Sequence, residues 1–333
     1  MGDAIQFVLS VYVERRIVDI VRRPGVHEQP NVATRSLSLH KSLAGIPSLF
    51  GPVPESVALS VTNEYKDLKW PGSDEGMSLV GTAKDRKHIL EFLDKFGFTT
   101  GVKLERINNA LRRNVQDRVK KIISSHPPLL VVHFQGHGIR IRNTVQYITE
   151  DQKDDSTLDG LTAEEMIEMF SKLTFCTISL VITDFCHSGN LYRLRFQLVI
   201  GEDGLPSWYE TQEWRYNKKC NQKVEIVSPM LHIAGSLRWQ QVYETKRRGG
   251  YLTNSLAQLE TKPTTLPQFL IDLRKGVNGH LDAANANAKL DPLAQTMFQD
   301  PQIFSSHMWA LDDPQILSKL RLGMAKPSSS ISG

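Results

Sequence analysis

An α/β fold, a mostly parallel sheet with helices on both faces, is predicted by three features of this chain. Residues 129–134 and 178–182 are short runs of branched and aromatic residues, the composition of strands buried on both sides. Segments with apolar residues at helical spacing lie between such runs, so strands and helices alternate. Each of the two runs ends in a polar, glycine-containing turn: Gln135-Gly136-His137-Gly138 and Asp184-Phe185-Cys186-His187-Ser188-Gly189. Open α/β sheets present reactive side chains at such strand ends.

The elements follow in order. Residues 6–22 carry Phe7, Val8, Val11, Ile17, Val18 and Val21 at helical spacing, and Pro24-Gly25 ends that helix. Residues 24–54 are turn-rich and aperiodic, an extension or linker. Residues 57–61 suit a first strand, and residues 85–96 form a helix with Gly97 as its terminating residue. Residues 104–124 carry Ile107, Leu111, Val115, Val119, Ile122 and Ile123 on one stripe and predict a second helix. Pro127-Pro128 breaks the chain before the 129–134 strand. A third helix over 162–173 opens with Thr162 and Glu165 in capping-box register and leads into the 178–182 strand. Residues 191–225 interrupt the rhythm and read as an exposed loop or an inserted hairpin; apolar alternation resumes at 227–234.

Composition narrows the class. Hydrophobic content of 40% and charged content of 23% are ordinary for a globular protein, and a net charge of +4 with short, scattered basic clusters gives no nucleic-acid footprint. No apolar run spans a bilayer. Residues 5–13 lack a basic flank and a cleavage site, and Gln6 stands where a myristoylation signal needs Ser or Thr, so a soluble, cytoplasmic protein is expected. Cys176, Cys186 and Cys220 are too few for a disulfide framework and lack zinc spacing. Cys176 is expected as a small buried apolar residue.

Cys186 and His137 form the candidate catalytic pair. A thiol with a pKa of about 8.5 is mostly protonated at neutral pH, so an adjacent imidazole is needed to take its proton. Cys186 would then attack a carbonyl, with His137 deprotonating the thiol or protonating the leaving amine. The backbone N–H groups of Gly138 and Cys186 are candidate oxyanion donors. His187 adjoins the nucleophile with its side chain expected to point away.

The pattern strand-Gly136-His137-Gly138, followed about 50 residues later by strand-Asp184-Phe185-Cys186-His187-Ser188-Gly189, resembles the metacaspases, caspase-like cysteine peptidases of clan CD, family C14, here of fungal type I character. The resemblance extends to Leu79-Val80-Gly81 and Lys84-Asp85, to residues 231–236 with Gln240, to Gly249-Gly250-Tyr251-Leu252-Thr253, and to residues 266–277 and 299–303. It covers about residues 55–310 and implies a caspase-like fold. It divides the chain into an extension or prodomain (1–54), a p20-like region (55–190), an intersubunit-like loop (191–225), a p10-like region (226–320) and a tail (321–333). His133 matches a histidine the family carries on this strand and is expected to be structural.

The resemblance also implies cleavage after Arg or Lys in protein or peptide substrates. Asp85 and Asp184 match the acidic pocket positions, with Gln135 and Ser236 as further substrate-binding candidates. Asp184 alternatively reads as a turn or cap residue, and Asp85 as a helix N-terminal residue. Gln135 replaces the family's Ser, and Arg238 stands among positions where acidic residues are usual; an inward Arg238 would reverse the preference. The acidic cluster of calcium-activated members is replaced by Ile139-Arg140-Ile141-Arg142-Asn143, leaving Asp151, Asp154 and Asp155, so no metal or other cofactor and weak or absent calcium dependence are expected. Arg215, Lys218 and Lys219 are candidate self-processing sites, and a monomer without nucleic-acid or membrane partners is expected. A role in apoptosis goes with the family. The competing readings are an inactive regulatory or scaffold protein of the same fold and a peptidase of altered specificity.

Overall fold

The computed structural model describes residues 55–141, 144–152, 157–219, 224–260, 264–288 and 295–320. The expected helix at 6–22, the extension 1–54, Cys220, Asp154, Asp155 and the tail lie outside the described residues. In chain order come β1 (Ser56–Thr62), α1 (Thr82–Lys95), β2 (Val102–Asn108), α2 (Arg112–Ser124) and β3 (Leu129–Gln135). Then follow β4 (Gly138–Ile141), β5 (Thr144–Gln152), β6 (Leu158–Thr162), α3 (Ala163–Phe170) and β7 (Ile178–Asp184). Next are β8 (Phe196–Ile200), β9 (Pro206–Glu210), α4 (Gln212–Lys219) and β10 (Met230–Ala234). The chain continues through β11 (Glu244–Thr245), β12 (Gly249–Gly250), α5 (Tyr251–Gln258), α6 (Leu266–Ala288), β13 (Gln302–Ser305) and α7 (Ile316–Lys319).

One eight-stranded sheet organises the fold, in the order β2-β1-β3-β7-β10-β13-β8-β9. Strands β2, β1, β3, β7 and β10 pair in parallel, while β13, β8 and β9 are added antiparallel. Alternate residues of the central strands enter different cores, as the two-residue period of a strand requires. Leu130, Val132 and Phe134 pack with Val115, Val119 and Ile122 of α2 and Met166 and Phe170 of α3. Leu129, Val131, Leu180 and Ile182 pack with Ile89 and Phe92 of α1, Leu252 and Leu256 of α5, and Phe269, Leu270 and Leu273 of α6. Burial on both faces is why these strands read as continuous apolar runs.

Helix termini follow the sequence signals. Gly97, at φ 65°, ends α1: its N–H donates to Asp94 O at 2.8 Å and that of Phe98 to Leu93 O at 2.7 Å, the paired bonds of a Schellman motif. At α3, Thr162 Oγ1 accepts from Glu165 N at 3.2 Å and the Glu165 carboxylate accepts from Thr162 N at 2.9 Å. The first turn of α2 is served from afar: Asp151 on β5 accepts from Arg112 N at 3.0 Å.

Three expectations change, and residues 191–225 take the inserted-hairpin alternative of their two readings. The helix expected from 104 is β2 up to Asn108, and only Arg112–Ser124 is helical. Leu104 and Ile107 satisfy a helical stripe, but parallel pairing with β1 decides the conformation, and Asn109 at φ 53° breaks the chain before α2. A separate sheet, β4-β5-β6, follows His137 where no strands were expected. Residues 191–225 carry the β8–β9 hairpin, which joins the main sheet beside β13, and then α4. Cys176 is exposed rather than buried, because the Thr174–Thr177 turn directs it and Phe175 (79% exposed) outward.

Removing the α3 cap should test this assignment. Thr162→Ala is expected to destabilise the fold by about 1 kcal/mol in denaturant titration; no change would show that the capping box contributes nothing.

Candidate active site

Strands β3 and β7 pair in register from Leu129 opposite Ile178 to Gln135 opposite Asp184. His137 and Cys186 each lie two residues beyond this last pair, so both emerge at one edge of the sheet, 2% and 1% exposed. The two turns touch: a Cβ at Gly138 would overlap the Cys186 carbonyl and lie 2.7 Å from the Phe185 ring. Glycine is needed there for the backbones to approach. This close approach is the observed basis for Gly138 as an oxyanion-donor candidate beside Cys186.

His137 is held from three sides. Its backbone N–H donates to Tyr65 Oη at 2.8 Å, and its ring lies 4.6 Å from that of Tyr65 and 4.9 Å from that of Trp70. Nε2 is 2.6 Å from Met77 O. A carbonyl only accepts, so Nε2 carries the proton and Nδ1 keeps its lone pair. Nδ1 is buried and has no hydrogen-bond partner among the described residues. Burial lowers the His137 pKa to about 4, with the Met77 carbonyl opposing the shift. Burial raises the Cys186 thiol to about 11; the Val242 N–H, which donates to Sγ at 3.4 Å, opposes this, and the Asp184 charge adds to it. At neutral pH the resting pair is therefore a thiol and a neutral imidazole.

Beside the pair is a small pocket lined by Leu79, Asp85, Gln135, Gly136, Asp184, Val242, Tyr243, Glu244 and Gly250. Asp85 Oδ1 accepts from Gly250 N at 2.7 Å, and Asp184 Oδ2 accepts from Thr253 N at 3.1 Å and Thr253 Oγ1 at 2.6 Å. Both carboxylates thus satisfy the start of α5, the helix end where negative charge is favoured. Their other oxygens, Asp85 Oδ2 and Asp184 Oδ1, are buried without partners. Asp184 thus caps α5 and lines the pocket, and Asp85 stands in the first turn of α1 and lines the same pocket.

Sequence reasoning missed Glu244. Its carboxylate accepts from Gly81 N at 3.0 Å and brings a third acid to the pocket. Burial raises Glu244 to about 7 and Asp184 to about 6, and pushes Asp85 well above the usual carboxylate range, with Asp184 and Glu244 adding to the Asp85 shift. Met77 and Tyr65 were also missed, since Met77 acts through a backbone carbonyl that no side-chain pattern reveals.

The other candidates separate. Gln135 lines the pocket and is fixed by Asn63 N at 3.2 Å and Thr82 Oγ1 at 3.1 Å. Ser236 is fully buried at the end of β10, outside the pocket lining. Arg238 is not an inward cation of the acidic pocket: it lines a second pocket and lies 3.8 Å from Glu213. The backbone after β10 turns it past Gly189, whose position abuts Arg238 N. His187, at φ 65°, turns away and reaches Arg238 O through Nδ1 at 3.2 Å. His133 is buried between Ser60 Oγ at 3.2 Å and Thr253 Oγ1 at 3.5 Å, in keeping with a structural role.

A thiol and an imidazole at neighbouring parallel strand ends, beside an acid-lined pocket, define the class as a cysteine-peptidase type of α/β protein. The caspase-domain profile matches residues 55–309, and the chain belongs to the caspase-domain family. Similar solved structures include the protein GSU0716 from Geobacter sulfurreducens, with TM-score 0.47 and 16% identity over 77% of this chain and 95% of that one. Caspase-1 from Spodoptera frugiperda is also similar, with TM-score 0.45 and 13% identity over 80% of this chain and 93% of that one. No curated protein matches the chain.

The raised carboxylates make a stability prediction. Asp184 moves from 3.8 to about 6 on folding, so its ionisation penalty is absent below about pH 4 and fully present above about pH 6. Asp184→Asn keeps an oxygen for Thr253 and should raise Tm at pH 7, by about 2–4 °C for each kcal/mol relieved. The gain should vanish at pH 4; a lower Tm at pH 7 would contradict the electrostatic account.

Proposed function

We propose that this protein is a metacaspase-like cysteine endopeptidase that cleaves after Arg or Lys. The observation that carries the reading is the pocket beside Cys186, where Asp85 Oδ2 and Asp184 Oδ1 are buried without partners and Glu244 stands with them. Unsatisfied buried carboxylate oxygens are costly unless a cation completes them, and a guanidinium or ammonium supplies the matching donors.

In the proposed reaction the Cys186 thiol gives its proton to His137 Nδ1 as Sγ attacks the carbonyl carbon of the basic residue. The oxyanion meets the N–H groups of Gly138 and Cys186. Collapse breaks the C–N bond, and the imidazolium returns its proton to the leaving amine. Water then hydrolyses the thioester, with His137 taking the water proton and restoring the thiol. Met77 O and Tyr65 act as positioning groups that fix the ring and its tautomer.

No calcium requirement is proposed, since Asp151 is committed to the α2 terminus. Self-processing at Arg215, Lys218 or Lys219 would require α4 to open, because all three lie on that helix and Lys218 lies over the Trp214 ring. A monomer is proposed because the strand that ends the sheet beyond β13 and β8 is the short β9, which opens with Pro206, and short, proline-bearing edges resist pairing with another chain. Among the described residues no helix is long and apolar enough to cross a membrane.

A second reading, a caspase-domain protein without turnover, is favoured by the near-complete burial of the pair and by the raised thiol. Fluorogenic peptides ending in Arg, Lys or Asp separate the readings. Turnover of Arg and Lys peptides, falling about a thousandfold or more in Cys186→Ala and His137→Ala, is expected. It should be unchanged by calcium or chelator. For the Arg peptide, kcat/KM should rise with pH through the ionisation of Asp184 near 6 and Glu244 near 7. No turnover, with no labelling of Cys186 by an electrophilic peptide, would establish the second reading. Mass spectrometry of purified wild type beside Cys186→Ala tests self-processing, and identical uncut species would refute it.

A further inference from the structure

The hairpin that brings Glu244 and Gly250 to the pocket has a wholly basic tip. Lys246, Arg247 and Arg248 join β11 to β12, and all three are exposed. Lys84, in the first turn of α1, abuts the same turn: a Cβ at Gly249 would meet Lys84 Cβ at 3.1 Å. Neighbouring cations are neutralised, Arg86 by Glu64 and Lys87 by Glu91. Lys84, Lys246, Arg247 and Arg248 have no ion-pair partner among the described residues.

The tip is also mounted firmly. Arg248 N donates to Thr245 Oγ1 at 3.2 Å, and Asn254 Nδ2 donates to Arg248 O at 3.1 Å. The Arg248 guanidinium donates to His280 Nδ1 at 3.0 Å, which fixes His280 as a neutral acceptor and leaves the charge of Arg248 uncompensated. His88 lies beside Asn254 at 3.4 Å, so the imidazoles of α1 and α6 flank the turn without adding an anion. A charged group held in place by such bonds loses little freedom when it binds.

We propose that this basic turn, with Lys84, is an exosite for an acidic stretch of the polypeptide substrate lying on the amino-terminal side of the cleaved bond. The proposal rests on the peptidase reading above. Its geometry follows from the course of one segment: Val242 N–H donates to Cys186 Sγ, Glu244 lines the pocket, and residues 246–248 form the tip of the hairpin that starts at Glu244. The leaving half of the substrate departs on the side of His137, which protonates it. The half that stays attached therefore runs along 242–248, with its basic residue in the pocket and the preceding residues at the turn. Single exposed ion pairs contribute little. Unpaired cations converging on one rim act chiefly on encounter and orientation, and they repel polybasic chains. Selection then depends on the pattern of charge, acidic residues followed by one basic residue, rather than on net charge.

Fluorescence anisotropy on Cys186→Ala protein tests this without turnover. Three labelled peptides ending in one Arg, preceded by acidic, alanine or lysine residues, are compared. The acidic peptide should bind about tenfold more tightly than the alanine peptide, and the lysine peptide more weakly than both. The difference should collapse at about 0.5 M salt and in a Lys246→Glu/Arg247→Glu double variant, whose sites are exposed and outside the packed core. Equal binding of the three peptides, a preference that survives the double substitution, or stronger competition by a single-stranded oligonucleotide than by the acidic peptide would each overturn the exosite. In parallel, active protein carrying the double substitution should turn over a single-residue Arg amide at the wild-type rate. Failure of wild type on that amide would overturn the peptidase reading instead, while the binding comparison still decides the exosite.

Discussion

The register of β3 against β7 is the constraint on which the rest of the site depends. The strands pair from Leu129 and Ile178 to Gln135 and Asp184, with β1 outside one and β10 outside the other. A slip of one residue would turn every core side chain to the opposite face. Such a slip would move Leu130, Val132 and Phe134 out of one core and Leu129 and Val131 out of the other. Because both faces are buried, neither strand has a tolerable alternative. The pairing therefore fixes, without any direct bond between the two side chains, that His137 and Cys186 leave the sheet side by side.

The same register puts Asp184 opposite Gln135 and directs it toward α5. Asp85 reaches that helix from α1, and Glu244 arrives with the β11–β12 hairpin. Three elements distant in sequence thus converge on one small volume, and each brings a carboxyl group that burial pushes upward in pKa. A fold selected for stability alone would not gather acids in this way. The start of α5 offsets part of the cost through the N–H groups of Gly250 and Thr253, but only for one oxygen of each aspartate. The other oxygens remain unsatisfied, and that residue of unfavourable energy is what a bound cation would recover.

How much of this was legible in the sequence depended on whether a signal was local. The buried runs, the capping box at Thr162 and the Gly97 terminus were readable because each is written in a few adjacent residues. The β2 strand was not: Leu104 and Ile107 fit a helix as well as an edge strand, and only β1 decides between them. The β4–β6 sheet had no clear alternation. Asp85 and Asp184 could be picked out by resemblance to a family pattern. Glu244 could not, since its role rests on a two-residue strand pairing with Gly250. Arg238 stayed open for the opposite reason. Its charge allowed a place in the pocket, and only the turn past Gly189, which carries it to Glu213, decides against that. Met77 contributes only a carbonyl, and a carbonyl has no sequence signature.

The pocket and the nucleophile are also joined electrostatically. Asp184 is among the groups that raise the Cys186 thiol, while the His137 imidazole is held low by burial. In the empty site, moving the proton from Sγ to Nδ1 is uphill on both counts. A guanidinium or ammonium in the pocket changes one side of that balance. It compensates Asp184, removes part of the negative field at sulfur and favours the thiolate. In the proposed reaction, substrate binding would then do more than position a carbonyl: it would lower the cost of making the nucleophile. A neutral side chain of the same shape would leave the field of Asp184 in place, so the proposed preference for a basic residue would be expressed in the chemical step as well as in binding. On this view the burial of the pair and the crowding of acids beside it are two halves of one arrangement, in which the thiol stays protonated until a cation arrives.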